Sequence, residues 1–214
     1  KVAVSSSPPP PPREPEAPTG PVIQETSGRT SPVRTFQDLL EDEHDEALFD
    51  YYTTSQLVSV NTRTGDRTRI GGPSVYRDFE PSPDGRWIMV ERIQRPYSYL
   101  VPQWAFPDVV EVIETQRYTR RTIAERPLRD ETPIGGVPTG RRSFEWKSTS
   151  PATLLWAEAL DEGDPDVEVP HRDRVMALSA PFRSEPSEIY RTEERYAGTT
   201  WVDAGDLAMM SEYD

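Results

Sequence analysis

The densest chemistry-bearing stretch is "RTFQDLLEDEHDEALFDYYTTSQL", residues 34 to 57, where Glu41, Asp42, Glu43, His44, Asp45 and Glu46 run without interruption. Carboxylate oxygens at this density suit a hard cation such as calcium or magnesium. The run lacks the alternating ligand spacing and the glycine of an EF-hand loop, and one histidine does not make a zinc site. It reads as solvated helical surface. "DEGDPDVEV", with Asp161, Glu162, Asp164, Asp166 and Glu168, has the composition of a calcium loop without its spacing, and reads as a connection between strands. No metal site and no cofactor are expected.

His44 and His171 are the two histidines that could act as general bases. No serine occupies the G-x-S-x-G setting by which an α/β-hydrolase exposes its nucleophile, so no Ser-His-Asp triad can be assembled from these residues. His171, in the polar run "DPDVEVPHRDR", is expected in a loop or at a strand end. "ERIQRPYSYLVP" places Arg95, Pro96, Tyr97 and Tyr99 directly after a strand. An arginine there can clamp a carboxylate with two parallel hydrogen bonds. Taken alone, Arg95 reads more simply as the partner of one of the chain's many acidic residues.

The elements that position these residues follow from composition and pattern. The chain has 214 residues, 34% of them hydrophobic, with 23 prolines and a mean hydropathy of −0.72. That supports a core of thin apolar segments and many turns rather than thick helical layers. With 24 basic residues against 37 acidic ones the net charge is −13, which disfavours nucleic acid and anionic membrane as partners. The absence of cysteine excludes disulfides, thiolate metal sites and a cysteine nucleophile in this chain. No run approaches the about 18 apolar residues of a spanning helix, and the compartment is left open.

Residues 1–33 open on "KVAV", which reads as the tail of a strand and gives the expectation of a piece cut from a longer protein. They continue as a Pro-rich extended connection; a polyproline ligand for an SH3-like groove is the sharper alternative for "PPPPPREP". Residues 34–55 carry Phe36, Leu39, Leu40, Ala47 and Leu48 at spacings that predict one or two short helical pieces. From residue 56 to 214 short strands pair across turns: "QLVSVN" with "RTRIG", "YRDFEPS" with "RWIMVERI", "DVVEVIET" with "RTIAERPL", "RRSFEWKS" with "TLLWAEAL", "DRVMALSA" with "EIYRTEE", and "GTTWVDA" with "DLAMMSEYD".

"DFEPSPDGRWIMVER", "SFEWKSTSPATLLWAEA" and "TTWVDAGDLAMMSE" share one plan, an aromatic-containing strand, a turn and an apolar strand. Their lead aromatics Phe79, Phe144 and Trp201 stand 65 and 57 residues apart, room for two further strands each. This predicts an all-β partial β-propeller, about three to three and a half four-stranded blades, with the acidic helical segment inserted. A two-sheet sandwich would also use many short strands, but need not repeat the same unit. Propellers usually close with about four to eight blades, so more chain or a partner is expected to complete this one.

The segments "RTFQDLLEDEHDEALFDYYTTSQL", "RPYSYLVP", "GRRSFEW", "LLWAEALDEGD" and "RYAGTTW", in that order from about Pro18 onward, resemble the prolyl oligopeptidase superfamily of serine peptidases, and most closely its glutamyl endopeptidase-like branch. The resemblance implies a propeller that gates a C-terminal α/β-hydrolase domain carrying the Ser-Asp-His triad, and hydrolysis of peptides after Glu by the complete protein. No catalytic residue of that family lies in this chain, so the chain alone would be inactive. Its implied partners are a peptide substrate and the hydrolase domain of the same protein, with neither nucleic acid nor membrane. Recognition of an acidic side chain requires a positive group. Arg95 matches the arginine of the family's R-P-Y-S motif, with Tyr97 beside it, and Arg142 in "GRRSFEW" is the second match; both arginines and Tyr97 are expected to bind substrate. The acidic segment is implied to be an insertion, its apolar face packed on the propeller and its charges in water. A non-enzymatic propeller that scaffolds protein partners is the alternative from another class.

Overall fold

A computed structural model describes residues 9–15, 36–202 and 207–214. "KVAV" and most of the Pro-rich connection, from residue 16 to 35, lie outside the described residues. One α-helix and eleven strands follow in chain order: α1 (Glu43–Thr53), β1 (Thr54–Val60), β2 (Arg67–Pro81), β3 (Trp87–Ile93), β4 (Asp108–Glu114), β5 (Arg120–Arg126), β6 (Arg142–Trp146), β7 (Thr153–Ala159), β8 (Asp173–Ser179), β9 (Ser187–Thr192), β10 (Arg195–Trp201) and β11 (Ala208–Tyr213). They form a five-stranded sheet in the order β1 to β5, a four-stranded sheet in the order β6 to β9, and a two-stranded sheet of β10 and β11. Among the described residues no helix is long and apolar enough to cross a membrane.

Within each sheet every strand therefore lies next to its neighbour in sequence, as expected where turn chemistry does the folding. Between β1 and β2 the Asn61 side chain accepts from the amides of Arg63 and Thr64 at 3.0 and 3.2 Å, and Gly65 supplies φ +79°. Between β2 and β3 the Ser82 amide donates to the Trp87 carbonyl at 2.8 Å, with Gly85 at φ +66°. These are the loops that "TRTGD" and "PDG" predict.

One boundary differs from the reading of the sequence. "RTRIG" and "YRDFEPS" were expected as separate strands, but they form the single strand β2. The pairing of β1 with β2 shifts register between Ser55 and Leu57, so the interruption is absorbed as a bulge rather than a turn. Gln56 donates to the carbonyls of Ile70 and Gly71 at 3.1 and 3.2 Å, satisfying acceptors beside the shift. Gly71 takes φ +67°, a conformation that strains any other side chain, and a Cβ there would also push the flexible Arg120 guanidinium aside.

The chain divides into two compact units, residues 1–79, 90–111 and 117–130 in the first and residues 80–89, 112–116 and 131–214 in the second. In the first, Val75, Ile93, Tyr97, Val101, Ala105 and Phe106 form a buried cluster, with Phe36, Leu40, Phe49 and Leu128 packed on it. In the second, β7 runs Thr153 to Ala157 fully buried, and Trp156 is inaccessible to solvent. Trp87 meets Phe182 edge to face, with centroids 5.0 Å apart. A continuous apolar run in so short a strand is the mark of burial on both faces.

Candidate functional site

Helix α1 starts where the local chemistry dictates. Asp42 caps it, its carboxylate accepting from the amides of His44 and Asp45 at 2.8 and 3.0 Å, and Glu43, Asp45 and Glu46 place negative charge in the first turn. No residue of the helix is buried. Phe49 nevertheless reaches the first unit's core, edge to face with Tyr97 at 5.0 Å and with Phe106 at 5.9 Å. Glu46 and Asp50 are four residues apart and so share one face. Two like charges at that spacing repel, and the helix needs a cation to hold them.

Arg95 is that cation. The segment that follows β3 turns back through a Gln94 amide to Pro107 carbonyl bond of 2.8 Å, and the Tyr97 ring stacks on Phe106 with centroids 5.1 Å apart. The Arg95 guanidinium lies 4.6 Å from the centre of the Tyr97 ring. One terminal nitrogen donates to Glu46 and the other to Asp50, the latter at 2.7 Å. The Tyr97 hydroxyl donates to the same Asp50 carboxylate, and the Tyr99 hydroxyl to Glu46 at 3.0 Å. Two carboxylates of one helix face are thus held by one guanidinium and two phenols.

The electrostatics follow. The Asp50 hydrogen bond, with help from Glu46 and against desolvation, holds the Arg95 guanidinium above its ordinary pKa. Burial, then the bond to Asp50, raises that of Tyr97. Burial and the bond to Glu46 push Tyr99 up to about 12. Both phenols therefore remain donors across the neutral range. The site is still wet: the side chains of Arg95 and Asp50 are 51% and 38% exposed, against 15% for Glu46.

The acidic segment is only partly the solvated surface expected of it. Glu46 and Asp50 pair with Arg95, so the helix that carries them is tethered by charge as well as by Phe49. The signal was available in the spacing of Glu46 and Asp50, but its partner lies 49 and 45 residues away in sequence.

Arg142 belongs to the second unit and is buried. It donates to Asp173 from β6, where Ser143 takes φ +54° and the β6 and β7 register shifts. Asp173 also accepts from the Tyr196 amide at 2.7 Å and from Arg195 at 3.2 Å. Arg195 then forks onto Asp161 at 2.8 and 2.6 Å, and Arg172 reaches Asp161 at 3.0 Å. Burial pushes the Asp161 carboxyl up, but Arg195 and Arg172 outweigh it and hold it below the ordinary range. Asp161 lies in the connection between β7 and β8, as its composition suggests, but its buried pairing gives no local signal. His171 lies in the connection before β8, and Arg92 pairs with Glu111 at 2.6 Å.

A third cluster, in the first unit, centres on buried Asp108 at the start of β4, which accepts from Arg77, Arg126 and Arg129. All three clusters are ion-pair networks within the chain. A group of three or more potential metal-ligating side chains is absent among the described residues.

No protein-family model matches the chain. It is 45% identical over 206 residues to a protein of Oryza sativa subsp. japonica named probable glutamyl endopeptidase, chloroplastic. It is 41% identical over 205 residues to a protein of the same name from Arabidopsis thaliana. Over nearly its whole length the chain is thus similar to proteins named as glutamyl endopeptidases. Each match takes in 94% of this chain and about a fifth of the relative, 22% and 21% respectively. Among solved structures, Pyrococcus horikoshii acylaminoacyl peptidase aligns over 69% of this chain and 22% of its own, with a TM-score of 0.39 and 16% identity.

Proposed function

We propose that this chain is the gating and substrate-binding β-propeller portion of a serine peptidase that hydrolyses peptides after Glu. The observation that carries the reading is the 45% identity, across 94% of the chain, to a relative named as a glutamyl endopeptidase. The sheets accord with it. Consecutive strands pair in meanders of five, four and two, the last being half of the four-stranded unit that its sequence repeats. In the complete protein a hydrolase domain would supply nucleophile, base and oxyanion hole, and the reaction would pass through a serine acyl-enzyme. This chain's part is to restrict entry and to hold the acidic side chain that precedes the scissile bond.

Arg95 is the first candidate for that contact. Its guanidinium is half exposed and already arranged for carboxylates, and the Tyr97 hydroxyl adds a second donor. Arg142 is the second candidate, but its side chain is 10% exposed and would have to leave Asp173 to reach a substrate.

The test is an assay of the full-length protein on paired peptides that differ only in Glu or Ala before the scissile bond. Cleavage after Glu at higher kcat/KM supports the reading. Absence of cleavage of either peptide would leave a propeller that scaffolds protein partners.

A further inference from the structure

The Arg95 site has one feature that a plain structural ion pair does not require. Its two carboxylates are unequally held. Glu46 is 15% exposed and tied to Arg95 and Tyr99, whereas Asp50 is 38% exposed and shares its oxygens between the other guanidinium nitrogen and the Tyr97 hydroxyl. The cluster carries one positive and two negative formal charges, so an added acidic ligand meets repulsion unless a carboxylate leaves. Replacing one carboxylate by another leaves the charge unchanged.

We propose that Asp50 is an internal stand-in for the substrate's acidic side chain, occupying the Arg95 and Tyr97 donors until a glutamate displaces it, while Glu46 and Tyr99 keep α1 anchored. The proposal rests on the glutamyl-peptidase reading and deepens it by naming a self-competing group. The donor set is complementary to a carboxylate: a nitrogen 2.7 Å from the Asp50 oxygen, a phenol on the other oxygen, and an aromatic ring that fixes the guanidinium plane at 4.6 Å. The helix need not unfold for the exchange, because Phe49 holds it to Tyr97 and Phe106 independently of Asp50. A side-chain rotation of Asp50 into solvent vacates the site.

Competition by an internal group raises the apparent KM for a ligand of the same kind and leaves other ligands alone. In the full-length protein, Asp50→Asn is therefore expected to lower KM for the Glu peptide by up to about fivefold, the worth of a half-exposed ion pair. Its KM for the Ala peptide should stay unchanged. Tyr97→Phe is the second variant, since it keeps the ring and its packing. Its hydroxyl is lost to Asp50 and to the incoming glutamate alike, so KM for the Glu peptide should change less than in Asp50→Asn. Calorimetry with a peptide amide ending in Glu against one ending in Gln gives a readout without turnover, and Asp50→Asn should widen the difference between them. A wild type that prefers Glu but shows no selective change in either variant overturns the stand-in while leaving the peptidase reading in place. A wild type that treats Glu and Ala alike overturns both.

Discussion

Arg95 and Arg195 each hold two carboxylates, yet the Arg95 side chain is 51% exposed and that of Arg195 is 5% exposed. Around Arg195 the carboxylates of Asp161 and Asp173 are sealed from solvent, and their remaining oxygens are taken by Arg172, Arg142 and the amides of Gly163 and Tyr196. Around Arg95, Asp50 is 38% exposed and water can take its place. The same residue types thus serve two ends. A buried, multiply bonded network fixes one arrangement, because any unpaired charge there is costly, whereas a wet one can exchange partners at low cost. Recognition of an acidic substrate calls for the second kind.

Four measurements set the two regions against each other. Arg195→Ala strands Asp161 and Asp173 in the interior and should cost about 3–5 kcal/mol, read by chemical denaturation of the full-length protein. A loss below about 1 kcal/mol would mean that water reaches the network and the contrast is false. Acid should discriminate next. The Asp161 carboxyl titrates lower in the fold than in the unfolded chain, so its contribution is present above the ordinary value of 3.8 and disappears as pH falls through the lowered one. Denaturation midpoints should fall steeply below about pH 4 in the wild type, and less so in Asp161→Asn, which is less stable at neutral pH.

Arg95→Ala should cost at most about 1 kcal/mol, because its pairs are half solvated. Faster hydrogen exchange confined to the amides of α1 would accompany it. The smallest effect is alkaline. Tyr99 has a raised pKa, so the stability it lends is complete below the ordinary phenol value of 10.0 and is lost as pH rises through about 12. Absorbance titration of wild type against Tyr99→Phe should show one tyrosine missing from the late part of the curve.

The hairpins were legible because they are local. Asn61 and Gly65, or Ser82, Asp84 and Gly85, make their turns with residues a few positions away, and strand alternation then sets the pairing. A helical piece within residues 34–55 was legible from its apolar spacing, while its start at Asp42 shows only in the cap. The fusion of "RTRIG" and "YRDFEPS" into β2 was not, because Gly71, Gly72 and Pro73 resemble a turn and the bulge is revealed only by the opposite strand. Arg95 was legible as the partner of some carboxylate, but not of which, since Glu46 and Asp50 lie 49 and 45 residues away in sequence. The pairing of Asp161 with Arg195 spans 34 residues and depends on two strand ends meeting in three dimensions. Charge composition alone cannot tell such a buried pair from a solvated one.

The measurement that bears most directly on the account is the ratio of kcat/KM for Glu over Ala peptides in the full-length protein, compared between wild type and Arg95→Ala. The account predicts a ratio well above one that collapses toward one in the variant, with cleavage of the Ala peptide retained. A high ratio that survives the loss of Arg95 would contradict it and place recognition of the acidic side chain elsewhere.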